Sequence, residues 1–276
     1  MTRVALALGG GGARGLAHIH VLQALDELGL VPVEIAGSSI GAVMAVARAS
    51  GMSGRDVEAF ALAILSNPSE VAAALLRTRS GNGRVPLLKP RLTDMDPERV
   101  LRAFMPEHLP ERIEALSIPV VLTATDFYGQ RCLAQREGPL LDALAASIAI
   151  PAVFCPVQRD ETVLIDGGMS NPVPFDLLDR ERADVVLAVD VVGAPVRHPR
   201  RLPNKREQLF GASQTLMQAA IREKCLRTPP DLLVRPPVAG IGVLDFLRIR
   251  AILDATAPVR DEVKRGLEQL IEQQAA

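Results

Sequence analysis

Residues 31–49 read VPVEIAGSSIGAVMAVARA. Val31 to Ala36 is a short β-branched and aliphatic run, the pattern of a buried strand, and residues 40–49 form a helix of small residues. Between them stands Gly37-Ser38-Ser39-Ile40-Gly41, a G-x-S-x-G turn. A chain that turns this sharply from strand to helix strains its central serine, which is tolerable only between small residues. Ser39 is therefore expected at the carboxyl end of the strand, its hydroxyl over the start of the helix. The bland alternative is a glycine turn with a serine capping a helix. The strand-turn-helix context favours a nucleophile over that reading, with Ser38 a small structural neighbour.

Upstream, Val4 to Leu8 is a second buried strand that ends in Gly9-Gly10-Gly11-Gly12-Ala13-Arg14-Gly15. Residues 14–28 repeat apolar positions at helical spacing, and Gly29 is a helix stop. Strand, helix, strand, helix within about 50 residues reads as parallel β-α-β with a right-handed crossover. Adjacent parallel strands would bring the glycine loop beside Ser39. Glycines let bare backbone N–H groups face an anion. The loop also contains G-x-G-x-x-G, so a dinucleotide site is the competing reading. That site needs an acidic residue at the tip of the second strand. Glu34 stands near that distance, but Ile35 and Ala36 carry the strand past it. Arg14 is read evenly as part of an anion-binding surface or as a solvated arginine in the first helical turn.

Downstream, a helix is expected over Asp56 to Leu65, then an irregular excursion or lid over 66–97. Within it, the stripe Val71 to Leu76 reads as an apolar rim for acyl chains or, more commonly, a packed helix. A helix over Pro97 to Phe104, strands at Ile118–Thr123 and Arg131–Gln135 and a helix over 139–149 follow. Strands at Thr162–Ile165, Asp184–Val191 and Asp231–Val234 and helices over 204–226 and 258–273 complete the pattern, with a loop at 195–203. Together these elements predict one α/β domain over 1–276, three layers α/β/α around a mainly parallel sheet.

A nucleophilic serine needs a base. Asp166 ends a strand and precedes Gly167-Gly168, so its carboxylate would share a sheet edge with Ser39; the bland reading is a turn-initiating Asp-Gly. His18, His20, His108 and His198 stand at no clear strand end, and each reads as surface or packing. The order Ser39, Asp166, His198 nevertheless leaves a Ser-Asp-His triad open at this point.

Composition narrows the function. Lys plus Arg number 31 against 32 Asp plus Glu, so the basic excess of a nucleic-acid binder is missing. Aromatic residues are scarce, with no Trp and one Tyr, which argues against stacking platforms. Cys132, Cys155 and Cys225 show no metal spacing and fit a reducing compartment. The apolar run before the glycines is too short for a signal peptide, and no stretch is long enough to span a membrane. A cytoplasmic protein is expected, with peripheral contact at the inner membrane surface left open.

These residues together resemble the patatin-like phospholipase family, of the bacterial type similar to the catalytic domain of neuropathy target esterase. The family's glycine-rich oxyanion loop, G-G-G-x-[RK]-G, is matched by Gly10 to Gly15. Its G-x-S-x-G is matched by Gly37 to Gly41, and its D-G-[AG] by Asp166-Gly167-Gly168. Two further stretches are similar: Ala146 to Pro151 with Phe154 and Pro156, and Asn171 to Pro174. The resemblance covers about residues 3–192. It implies a serine acyl hydrolase acting on lipid esters, with Ser39 as nucleophile and Asp166 as base in a histidine-free dyad. It also implies an oxyanion hole from Gly10, Gly11, Gly12, Arg14 and Gly15 and an elbow held by Gly37 and Gly41; no metal or cofactor is expected, since the sequence shows no ligand cluster. The alternative is a non-catalytic regulator of the same fold that binds a nucleotide or an acyl ligand.

Overall fold

The computed structural model describes residues 2–77, 95–106, 108–195 and 200–275. Its centre is an eight-stranded mixed sheet, mainly parallel. The strands are β1 (Val4–Leu8), β2 (Glu34–Ser38), β3 (Val120–Asp126), β4 (Arg131–Gln135), β5 (Val157–Arg159), β6 (Thr162–Asp166), β7 (Val185–Val189) and β8 (Leu232–Val234). Seven of them lie in the order β5-β6-β3-β2-β1-β7-β8, and β4 pairs with β3. The run β3-β2-β1-β7-β8 is parallel throughout. Its central members are buried on both faces, which is why β1 reads as an unbroken apolar run.

Side chains alternate between the two faces of each strand, and the faces differ. Val4, Leu6, Leu8, Ile35, Leu122 and Leu187 point into the larger core cluster. That face is covered by α1 (His18–Glu27), α2 (Ile40–Ala49), α6 (Leu140–Ile148) and α9 (Pro258–Ala275), with α3 (Gly54–Leu65) and α8 (Ile249–Thr256) outside them. The other face carries mostly small residues, Ala5, Ala7, Ala36 and Ala188 among them. It is covered by Phe175 and its neighbours and by Ile221 of α7 (Lys205–Arg227). The three layers expected from the sequence are present, but lopsided.

Several boundaries differ from expectation, for local reasons. The helix expected from residue 14 opens as a 3-10 helix, Gly12–Ala17, before α1. Gly15 lies so close to Ile40 that a methyl group there would overlap the Ile40 side chain. β2 begins at Glu34, after Pro32, and runs on to Ser38, so the strand delivers Ser39 directly. The excursion at 66–97 contains α4 (Pro68–Arg77), followed after the undescribed residues 78–94 by α5 (Pro97–Phe104). β5 and α8 have no counterpart in the sequence reading; both are short, three and eight residues. Among the described residues no single helix is long and apolar enough to cross a membrane, although α3 with α4, bent by 78°, passes that test as a pair.

Candidate active site

The parallel register aligns the carboxyl ends of three strands: Leu8 pairs with Gly37 on one side and with Val189 on the other. The glycine loop, Ser39 and the chain after β7 therefore emerge at one edge, where open α/β sheets bind ligands. Ser39 has φ 54° and ψ −124°, a left-handed conformation that is costly for a residue with a side chain. The turn closes because Gly37 and Gly41 carry no Cβ. A methyl group at Gly41 would overlap the Leu8 carbonyl oxygen, and one at Gly37 would press on Gly41 and Ala42. The backbone N–H of Ser39 donates to Ser147 Oγ at 3.0 Å, which anchors the elbow to α6.

Asp166 reaches Ser39 by a route that the sequence did not indicate. β3 gives one edge to β4 over Leu122–Asp126. Its other edge is shared: Ile35–Ser38 of β2 pair with Val120–Thr123, and then β6 pairs antiparallel with Ala124–Asp126. β6 thus takes over where β2 ends, and Asp166, opposite Ala124, arrives beside Ser39. Ser39 Oγ donates to Asp166 Oδ2 at 2.5 Å. Gly168 N–H donates to Oδ1 at 2.7 Å, and Thr125 Oγ1 donates to the Asp166 carbonyl at 2.8 Å. Burial pushes the Asp166 carboxyl up to about 6, against the opposing pull of the Ser39 and Gly168 hydrogen bonds.

The direct Ser39–Asp166 bond leaves no place for an imidazole between them. His18 is fully buried, its Nε2 2.9 Å from the Gly9 carbonyl, and burial lowers it to about 4, so it is neutral. His20 Nε2 lies 2.9 Å from the Leu253 carbonyl. His108 is exposed. His198 lies outside the described residues.

The glycine loop borders the same cavity, of about 80 Å³, with Ser39 and Asp166. Its members differ from one another. Gly10 N–H donates to the Pro172 carbonyl and Ala13 N–H to the Val243 carbonyl. Among the described residues, the N–H groups of Gly11 and Gly12 meet no such acceptor. Gly10 N–H is thus already engaged, whereas those of Gly11 and Gly12 are not. Gly12 has φ +59°, and a Cβ there would overlap the Val243 carbonyl oxygen, so glycine is required. Arg14 is neither solvated nor free to bind an anion with its whole fork. It is 5% exposed, its Nε donates to the Ile241 carbonyl at 2.7 Å, and its Nη1 donates to the Val192 carbonyl. It ties two segments to the loop.

Two alternatives raised by the sequence find no support here. Glu34 starts β2, away from the carboxyl edge. Its carboxylate accepts from Arg136 Nη1 at 2.5 Å and from Asp179 N–H at 2.8 Å, so it is not placed for a ribose. The stripe Val71 to Leu76 is absent from the described cavity wall, and Val71 packs inward. The wall includes instead Leu209, Phe210, Ser213, Gln214 and Met217 of α7, and Val243. Nothing in their spacing marked them, because α7 shows no clean apolar stripe. Ser147 lay in a stretch already noted for its resemblance, without a role. Asn171 steadies the turn after Asp166: its Nδ2 donates to Asp176 at 3.0 Å and its Oδ1 accepts from Lys224 Nζ at 2.5 Å. Among the described residues, no cluster of His, Cys, Asp or Glu is arranged to hold a metal ion.

Known proteins are similar to this chain. An NTE family protein of Mycobacterium tuberculosis is 38% identical over 198 residues, 70% of this chain and 50% of that protein. Another from the same organism is 30% identical over 277 residues, 91% of this chain and 44% of that protein. The chain thus spans about half the length of these curated relatives. Mouse patatin-like phospholipase domain-containing protein 6 is 30% identical over 195 residues, 68% of this chain and 13% of that protein. Among solved structures, VipD from Legionella pneumophila superposes with a TM-score of 0.48 at 15% identity, covering 95% of this chain and 67% of that one. The model of the patatin-like phospholipases matches residues 6–179, a span that holds the glycine loop, the elbow and the Asp-Gly-Gly turn. The chain belongs to the patatin-like phospholipase family.

Proposed function

We propose that the protein is a serine acyl hydrolase that cleaves lipid esters of the phospholipid or lysophospholipid class. The observation that carries this reading is the Ser39–Asp166 pair: a serine in a strained elbow, its Oγ 2.5 Å from a buried carboxylate. A carboxylate is ordinarily a weak base at neutral pH. Burial makes this one stronger while leaving it ionised above about 6.

In the reaction, Asp166 Oδ2 takes the Ser39 proton as Oγ attacks the ester carbonyl. The negative charge that forms on the carbonyl oxygen falls to the Gly11 and Gly12 N–H groups. Collapse expels the alcohol, which takes the proton from Asp166 and leaves an acyl-Ser39. Water then attacks the acyl group, giving its proton to Asp166, and the carboxylic acid departs with Ser39 restored. No step calls for a metal or cofactor. Gly37, Gly41 and Gly15 hold the elbow and the loop at their spacing, and Arg14 braces the loop.

A fluorophosphonate probe tests the assignment. It should label the peptide holding Ser38 and Ser39, and Ser39→Ala should abolish the adduct. Labelling that survives in Ser39→Ala and vanishes in Ser38→Ala would overturn it. A lipid-ester panel then separates phospholipid from lysolipid, thioester and small-ester substrates. The binding-regulator alternative predicts that nucleotides raise the melting temperature of Ser39→Ala.

A further inference from the structure

α7 divides its apolar side chains between two faces. Its inward positions include two glutamines, with Ile221 and Met217 beside them. Gln214 Nε2 donates to the Val192 carbonyl at 2.9 Å, and Gln218 Nε2 donates to the buried Asp190 carboxylate at 3.1 Å. Its leucines face out: Leu209 is 53% exposed and Leu216 is 72% exposed. A surface helix ordinarily gathers its apolar residues on the buried face alone. Leu209, Ala212 and Leu216 follow one another at three- and four-residue steps and so share one face. The same face carries Lys205 one turn before, Glu223 beyond Leu216 and Arg227 at the far end, all exposed.

This face adjoins the reaction site. Leu209 lines the cavity and is exposed, so it stands at the mouth. Across the cavity Val243 lines the wall, and Leu244 and Leu247 just beyond it are exposed too. Charge selects the partner. Residues 200–227 hold seven Lys or Arg against two Glu in a chain of net charge −1; Arg201 is paired with Glu207 and Lys224 with Asp176, and the remaining cations outnumber Glu223. The cavity, about 80 Å³, is far below the roughly 300–1,000 Å³ of sites that enclose a whole small ligand. It receives the reacting ester while the acyl chain extends outward, past the leucines.

We infer that the outer face of α7, with Leu244 and Leu247, docks on an anionic phospholipid bilayer and presents the cavity mouth to it. The inference rests on the proposed lipid-ester reaction for its purpose, but not for its test. Exposed leucines enter the acyl boundary while the flanking cations meet anionic headgroups. The glutamine bonds to Asp190 and Val192 hold the helix in that orientation as a fixed wall.

Co-sedimentation with vesicles of phosphatidylcholine, with or without phosphatidylglycerol, tests this. The full chain should bind the anionic vesicles about tenfold better than the zwitterionic ones, and added salt should weaken that binding. Leu216→Glu should cut vesicle binding about fivefold or more and slow cleavage of vesicle lipid, while hydrolysis of a soluble short-chain ester stays within about twofold. Val31→Glu, at an exposed apolar residue away from the cavity wall, should bind as the wild type does. Ser39→Ala should also keep vesicle binding, so loss of hydrolysis without loss of docking separates the two claims. Equal binding by Leu216→Glu and wild type would overturn the docking face. So would equal losses in Leu216→Glu and Val31→Glu, or a wild-type dimer that Leu216→Glu dissolves without any vesicle binding.

Discussion

α2 and α7 border the same reaction site and are built on opposite terms. α2 is ten residues of mostly small apolar side chains, nearly all buried, and its start lies against the β1 backbone. α7 is 23 residues long, buries glutamines and exposes leucines. The first helix is held by close approach, where a single methyl group is too much. The second is held by hydrogen bonds from Gln214, Gln218 and Lys224 and by Ile221 in the core, and leaves its leucines on the surface. The difference separates two jobs. A nucleophile must be placed within tenths of an ångström, and dense packing does that. A mouth needs a surface, and a surface is free to answer to something outside the molecule.

The largest expected effect lies at the carboxylate that partners Ser39, the residue α2 positions. Asp166→Asn keeps the shape but removes the base, so turnover should drop about 10²- to 10⁴-fold. The fold should not suffer at neutral pH. The folded carboxyl sits near 6, above its ordinary value of 3.8, so its contribution to stability is full below about 4 and is lost as pH rises through 6. A melting temperature at pH 7 well below wild type would contradict the burial cost described here.

Next, Gly41→Ala at α2 should cost about 3 kcal/mol or prevent folding, because its methyl group meets a backbone carbonyl that cannot turn aside. Denaturant unfolding measures this, and a tolerated Gly41→Ala would break the contrast between the helices. Smaller again is the pH response. Below about 6 the base becomes protonated, so kcat/KM should fall about tenfold per pH unit and level off above it. A profile flat from pH 5 to 8 would remove Asp166 from the reaction. The smallest effect belongs to α7. Gly211→Ala places a methyl group 3.3 Å from the Pro195 ring, an exposed partner able to yield, and gains helix propensity. Stability should change by less than about 1 kcal/mol, and a large loss would show that α7 is packed as tightly as α2.

Much of this was legible in the chain because it is local. The run from Val4 to Ala49 holds two strands, the glycine loop and the elbow, and each is written in adjacent residues: aliphatic runs for buried strands, glycines where backbones touch. Ser39, Gly37 and Gly41 could be named from spacing alone for that reason, and Asp166 from its strand-ending Asp-Gly-Gly. Only the folded chain decided the rest. That β6 runs antiparallel and takes over the β3 edge where β2 stops is a fact of pairing between residues some 40 apart, which no periodicity records. The division of labour within Gly10 to Gly15 depends on carbonyls from Pro172 and Val243, and Arg14 is a brace because Val192 and Ile241 come to it. α7 was legible as a helix but not as a wall of the cavity. Which face a helix buries can be read from the sequence only when its apolar residues gather in one stripe, and α7 divides them between Ile221 and Met217 inside and Leu209 and Leu216 outside.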